Sequence, residues 1–134
     1  MRALVAYVVT LVVFCALDFA WLGWIAMGFY ARGLGALLLA RPNIAAAAAF
    51  YLLYVLGVQI FAVHPALAAS SWTRTWVAGA MFGFFAYATY DLTNLATLKG
   101  WSLPVTLVDI AWGSVLTALA ATAGFAAAAR LGGP

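Results

Sequence analysis

Four stretches of the sequence, roughly 4–29, 44–66, 76–98 and 103–128, stay apolar for the length of a bilayer crossing. A hydrocarbon core about 30 Å thick is spanned by about 20 helical residues at about 1.5 Å each. Only a helix satisfies its own backbone polar groups over such a length in lipid. The pattern therefore predicts an all-α membrane protein, a four-transmembrane-helix antiparallel bundle. With 69% of residues hydrophobic and 7% charged, no soluble domain of this size could hide the apolar surface. The chain, 1–134, reads as a single membrane domain. An interfacial link at about 30–43 carries Leu37-Leu38-Leu39 between Arg32 and Arg41. Arg2 and the apolar run behind it resemble the start of a signal peptide. That run continues to about Phe29 and contains Asp18, so an uncleaved first span is expected.

Punctuation between the segments supports this division. Asn43 is placed to cap the second helix, Gly100 to end the third and Pro104 to open the fourth. The short turn between the last two makes them antiparallel neighbours. Gly79 and Gly83, the alanines from Ala45 to Ala49, and Ala118, Thr122 and Ala126 mark faces where helix backbones can approach closely. The six basic residues are scattered, which excludes a nucleic-acid footprint and suits interfacial anchors. Arg2, Arg74 and Arg130 lie on one side of the membrane and Arg32, Arg41 and Lys99 on the other, so the positive-inside rule favours neither orientation. Cys15 has no partner for a disulfide.

All the acidic side chains, Asp18, Asp91 and Asp109, fall inside apolar segments. Helical rise places them in one leaflet half, within a vertical spread of about 7 Å. A carboxylate in hydrocarbon costs roughly 2.5–3.5 kcal/mol on insertion scales, and an intramembrane acid is a functional-site hypothesis by default. Three together do not all carry charge without a counter-ion. Tyr87, Asp91 and Asn94 share one helix face, as do Asp18 with Trp21 and Asp109 with Trp112. The strings Asp18-Phe19-Ala20-Trp21 and Asp109-Ile110-Ala111-Trp112 nearly repeat one another. Tyr51 and Tyr54 lie near the same depth and can donate phenolic hydrogen bonds, while Gln59 is expected to bond between helices and His64 to sit in solvent at the opposite end. The candidate ligand-binding set is thus Asp18, Trp21, Tyr87, Asp91, Asn94, Asp109 and Trp112. No metal site is expected, because no histidine lies in that half and no ligand spacing is diagnostic.

The run Tyr87-Ala88-Thr89-Tyr90-Asp91-Leu92-Thr93-Asn94-Leu95-Ala96-Thr97-Leu98-Lys99-Gly100-Trp101, with Val108-Asp109-Ile110-Ala111-Trp112-Gly113, Leu17-Asp18-Phe19-Ala20-Trp21-Leu22-Gly23 and Phe50-Tyr51-Leu52-Leu53-Tyr54-Val55-Leu56-Gly57, resembles a family of small bacterial membrane proteins known as domain of unknown function 2177. The resemblance implies a multi-pass protein of the bacterial cytoplasmic (inner) membrane. It supplies no activity, no catalytic residue and no cofactor. Three functions stay open. The first is binding or transport of a small ligand, ion or proton through the Asp cluster. The second is an enzyme acting on a lipid or other apolar substrate through one of the acids. The third is a structural or accessory subunit in which the acids fix helix register. The lipid bilayer is the expected environment, and transport by four helices calls for a homo-oligomer or a larger membrane complex.

Overall fold

The computed structural model describes residues 1–132, and Gly133 and Pro134, which the sequence places outside the membrane, lie outside the described residues. Among the described residues the ordered elements are all helical. Helix α1 (Arg2–Ala20) runs on through a π-helical turn, Trp21–Ile25, and α2 (Met27–Leu34) follows, closed by a 3-10 turn at Gly35–Leu37. Helix α3 (Ile44–Val58) likewise continues through a π-helical turn, Gln59–Val63, into α4 (His64–Ala68). Two long helices complete the chain, α5 (Trp72–Thr97) and α6 (Leu103–Leu131).

Local sequence explains most of the boundaries. The side chains of Asn43, Ser71 and Ser102 accept from the backbone N–H groups of Ala46, Arg74 and Val105 and so cap α3, α5 and α6. Gly100 turns the chain between α5 and α6 at φ +77°, which a side chain would resist. Three continuous helical stretches are long and apolar enough to cross a membrane, Arg2–Ile25, Ile44–Ala68 and Leu103–Leu131. The third expected span, α5, is long enough but less apolar. Its lower half carries Thr89, Tyr90, Asp91, Thr93, Asn94 and Thr97. The hydroxyls of Thr89, Thr93 and Thr97 donate back to the carbonyls of Phe85, Thr89 and Thr93, so they leave little hydrogen-bonding demand on their surroundings.

Two boundaries differ from the sequence expectation. The first helix breaks at Ala26 (φ −110°, ψ 6°) instead of reaching Phe29, because the π-helical turn ends there on an Ala26 N–H to Trp21 carbonyl bond of 2.7 Å. The segment expected as an interfacial link begins within α2, whose end docks on the start of α6. A methyl group on Gly33 would collide with Val105, and Leu34 is buried.

Helix α6 is the common partner, packed along both α1 and α5. Small residues bring α5 and α6 together. A Cβ on Gly79 would stand 3.1 Å from the Ala118 backbone, and one on Gly83 would strike the Gly113 carbonyl. Gly124 does the same for α1, accommodating Thr10 and the Ala6 carbonyl. The alanines from Ala45 to Ala49, expected on a packing face, are mostly exposed, because α3 meets its neighbours further along the chain. The interhelical bond expected of Gln59 is present, its amide donating to Thr10 at 2.9 Å. Outward-facing side chains such as Leu53, Phe61, Phe85 and Leu107 are large, apolar and exposed, a surface that suits lipid. Gly83→Val should overpack the α5–α6 contact and destabilise the fold by about 1–3 kcal/mol. Gly23→Ala, whose methyl meets nothing within 4 Å, should be close to neutral. Thermal unfolding of the two variants in detergent checks the difference, and equal melting temperatures would refute the close approach.

Candidate functional site

Each of the three acids is brought to the same cavity by a different helix. Asp18 comes from the last turn of α1, Asp91 from α5 and Asp109 from the second turn of α6. The cavity, about 760 Å³, lies between the first half of α3 and the second half of α5. Leu34 and Leu38 from the α2 region and Trp101 from the α5–α6 turn complete its lining. Helix α5 packs on the Gln59–Val63 turn and on α4 but has little contact with α3 itself, so the two helices diverge toward the acids. Tyr54 stands where they separate, against Phe82 and edge-on to Tyr87 at 6.0 Å.

Two acids are well supplied with donors. Tyr51 donates to one oxygen of Asp18 at 2.6 Å and the Trp112 indole N–H donates to the other at 3.2 Å. Tyr30 donates to Asp109 at 2.6 Å and itself accepts from the Trp21 indole at 3.2 Å. The two indoles stack, with centroids 4.4 Å apart and planes 11° from parallel. The near-repeated Asp-x-x-Trp strings of α1 and α6 thus meet reciprocally. Trp112 serves the acid of α1 directly, and Trp21 serves the acid of α6 through Tyr30. Tyr30 is buried enough, and close enough to Asp109, that its phenol is held protonated well above its ordinary range. Among the tyrosines near the site, Tyr54 bonds elsewhere. The Thr117 hydroxyl donates to the Gly113 carbonyl, which leaves Tyr54 as donor to Thr117 at 2.7 Å.

Asp91 differs. It is completely buried, and neither of its carboxyl oxygens meets an N–H, phenol or alcohol donor. The polar group beside it is the carboxyl of Asp109, within hydrogen-bonding reach across the α5–α6 contact. Two carboxyl groups side by side are held together by a shared proton or by a cation. An acceptor this buried and unmet is rare, because leaving it so costs on the order of 1–3 kcal/mol or more.

The other residues expected at the site are distributed around it. Tyr87 lines the cavity and packs across Gly113. Trp21 and Trp112 stand behind the acids as donors and stacking partners and do not line the cavity, and neither does Asn94, whose backbone carbonyl accepts from Leu98. Tyr30, Tyr51, Tyr90 and Trp101 belong with the acids as well. Of these, Tyr30 carried no sequence signal, since its role depends on the chain reversing at Ala26. The basic residues on that side, Arg32, Arg41 and Lys99, are exposed. Among the described residues, no group of three or more His, Cys, Asp or Glu side chains converges closely enough to hold a metal ion.

An all-helical fold with three membrane-length apolar helices and an acid-lined cavity defines a membrane protein of small size. The chain belongs to the family of predicted membrane proteins designated domain of unknown function 2177, whose model matches residues 3–126. No curated protein and no solved structure matches it.

Tyr30→Phe should leave Asp109 without its donor and loosen α2 from α6, at a cost of about 1.5–3 kcal/mol for a hydrogen bond to a carboxylate. Hydrogen exchange should quicken across residues 27–38 and hardly change in α4. Unaltered exchange at 27–38 would show that the bond does not hold α2.

Proposed function

We propose that this protein is a small-ligand-binding module of the membrane, and that its ligand is a small cation held by Asp91 with the help of Asp109. In this reading all four long helical stretches cross the bilayer as one antiparallel bundle, in a bacterial cytoplasmic membrane, and a homo-oligomer carries any transport. The length of α5 supports the fourth crossing, since its 26 residues extend about 39 Å, and its threonine hydroxyls are bonded within the helix. Close packing of α5 on α6 through Gly79 and Gly83 supports it too.

The observation that carries the proposal is Asp91, fully buried, bordering a large cavity, and without an N–H, phenol or alcohol donor on either oxygen. A side chain that only fixed helix register would do so by hydrogen-bonding across to another helix, as Asp18 does to Tyr51. Asp91 meets no phenol or indole, only the carboxyl of Asp109, so the acceptor capacity beyond that contact is left for a ligand. Asp18 and Asp109, already bonded, supply negative potential and hold the aromatic wall in place. A cavity of this volume with few polar groups on an apolar and aromatic wall has the general character of a ligand site.

Small ammonium ions such as ethylammonium should raise the melting temperature of the purified protein saturably. In Asp91→Asn their dissociation constant should rise at least about thirtyfold, corresponding to roughly 2 kcal/mol for removing one partner of a buried ion pair. Size-exclusion chromatography and circular dichroism establish that the variant is folded. A folded Asp91→Asn variant that binds the ion as the unsubstituted protein does would end the proposal.

A further inference from the structure

We propose further that the natural ligand is an amphiphilic primary or secondary amine, one ammonium group on an apolar chain, which enters sideways from the lipid between α3 and α5. This rests on the reading of Asp91 as a cation site and adds the class of ligand and its route.

The headgroup follows from what Asp91 lacks. Beyond the proton it shares with Asp109, Asp91 still needs an N–H or O–H donor, which an ammonium with free N–H bonds provides and a quaternary ammonium does not. Two adjoining carboxyls that share one proton carry a single negative charge between them, which a single positive charge neutralises. Tyr87, Tyr90 and Trp101 border the same space and offer ring faces to a cation.

The tail follows from the volume and its lining. About 760 Å³ is far more than an ammonium group occupies, and much of the lining is apolar, from Leu22, Leu38, Ala46, Ala47 and Phe50. That surface offers a chain dispersion contacts and no hydrogen bonds.

The route follows from the divergence of the helices. Contact of α5 with the α3–α4 rod is concentrated beyond Gly57, where Phe82 fills the groove. Nearer the acids, Ala46 and Ala47 face Ala86 and Tyr90 across the cavity, and Phe50 and Tyr90 are both exposed at its rim. In a bundle whose helices all cross the bilayer, a slot between two of them opens to lipid. The alanines keep it wide.

The test uses the full chain in phosphatidylcholine nanodiscs and a dodecylamine probe with a photoreactive diazirine at the end of its tail. Crosslinking should saturate and should map to residues 44–54 and 86–91. Dodecylamine should displace the probe, whereas dodecyltrimethylammonium should need at least about tenfold higher concentration because it has no N–H donor. Asp91→Asn should abolish the saturable crosslink. Ala47→Trp leaves every carboxyl intact and narrows the slot, so it should remove the crosslink.

If ethylammonium binds through Asp91 but the long amine gives no saturable crosslink, the amphiphile inference is overturned and the cation site stands. Equal competition by the quaternary amine, or a crosslink indifferent to Asp91→Asn, also overturns it. If neither amine binds, both readings fall together.

Discussion

The hydrogen bond from Tyr51 to Asp18, at 2.6 Å, joins α3 to α1 at the level where the molecule opens into its cavity. A carboxyl group taken out of water has to be met by donors, and the donors here come from other helices. Trp112 reaches Asp18 from α6, and Tyr30 reaches Asp109 from α2. Asp18 and Asp109 therefore tie together elements that apolar packing alone would leave free to slide, since lipid is as apolar as leucine and favours no particular register. The stacked indoles of Trp21 and Trp112 sit between these bonds and couple them.

Close packing at one end and divergence at the other follow from the distribution of small and aromatic residues. Gly79, Gly83, Gly113 and Gly124 draw α1, α5 and α6 into near backbone contact. Tyr54 and Phe82 do the reverse, standing between α3 and α5 as a wedge of rings. Below that wedge the helices separate and the acids face the resulting space. The π-helical turn at Trp21–Ile25 then bends the chain so that α2 covers one flank. A widened turn of this kind places extra backbone within a helix, and such turns recur where side chains must be re-aimed. Its consequence here is that Tyr30 comes back to Asp109 across 79 residues of sequence.

Much of the architecture was legible from hydropathy, caps and small residues, because each of these acts locally. Asn43 capping α3, Gly79 and Gly83 on a helix contact, and the bond from Gln59 were all readable from their own neighbourhoods. The expectation that the three acids lie close together, argued from a fixed rise per residue, agrees with their lining one cavity. Readings that depended on how helices rotate and diverge were harder. Asn94 shares a face with Asp91 by spacing, yet it does not border the cavity. Ala45 to Ala49 had the composition of a packing face, and Ala46 and Ala47 instead border open space.

By itself, the sequence determined that the chain is helical, that its surface suits lipid, and that its three acids fall within long apolar segments. These follow from backbone hydrogen bonding, hydrophobicity and helical rise, properties of residues taken in order. Only the tertiary structure decided which of the acids is left without an N–H, phenol or alcohol donor. Asp18 and Asp109 meet Tyr51, Trp112 and Tyr30, while Asp91 meets another carboxyl at the edge of a cavity. That difference arises because hydrogen bonding requires two groups from distant parts of the chain to meet within about 3 Å, a condition on the packing of helices that no single segment contains.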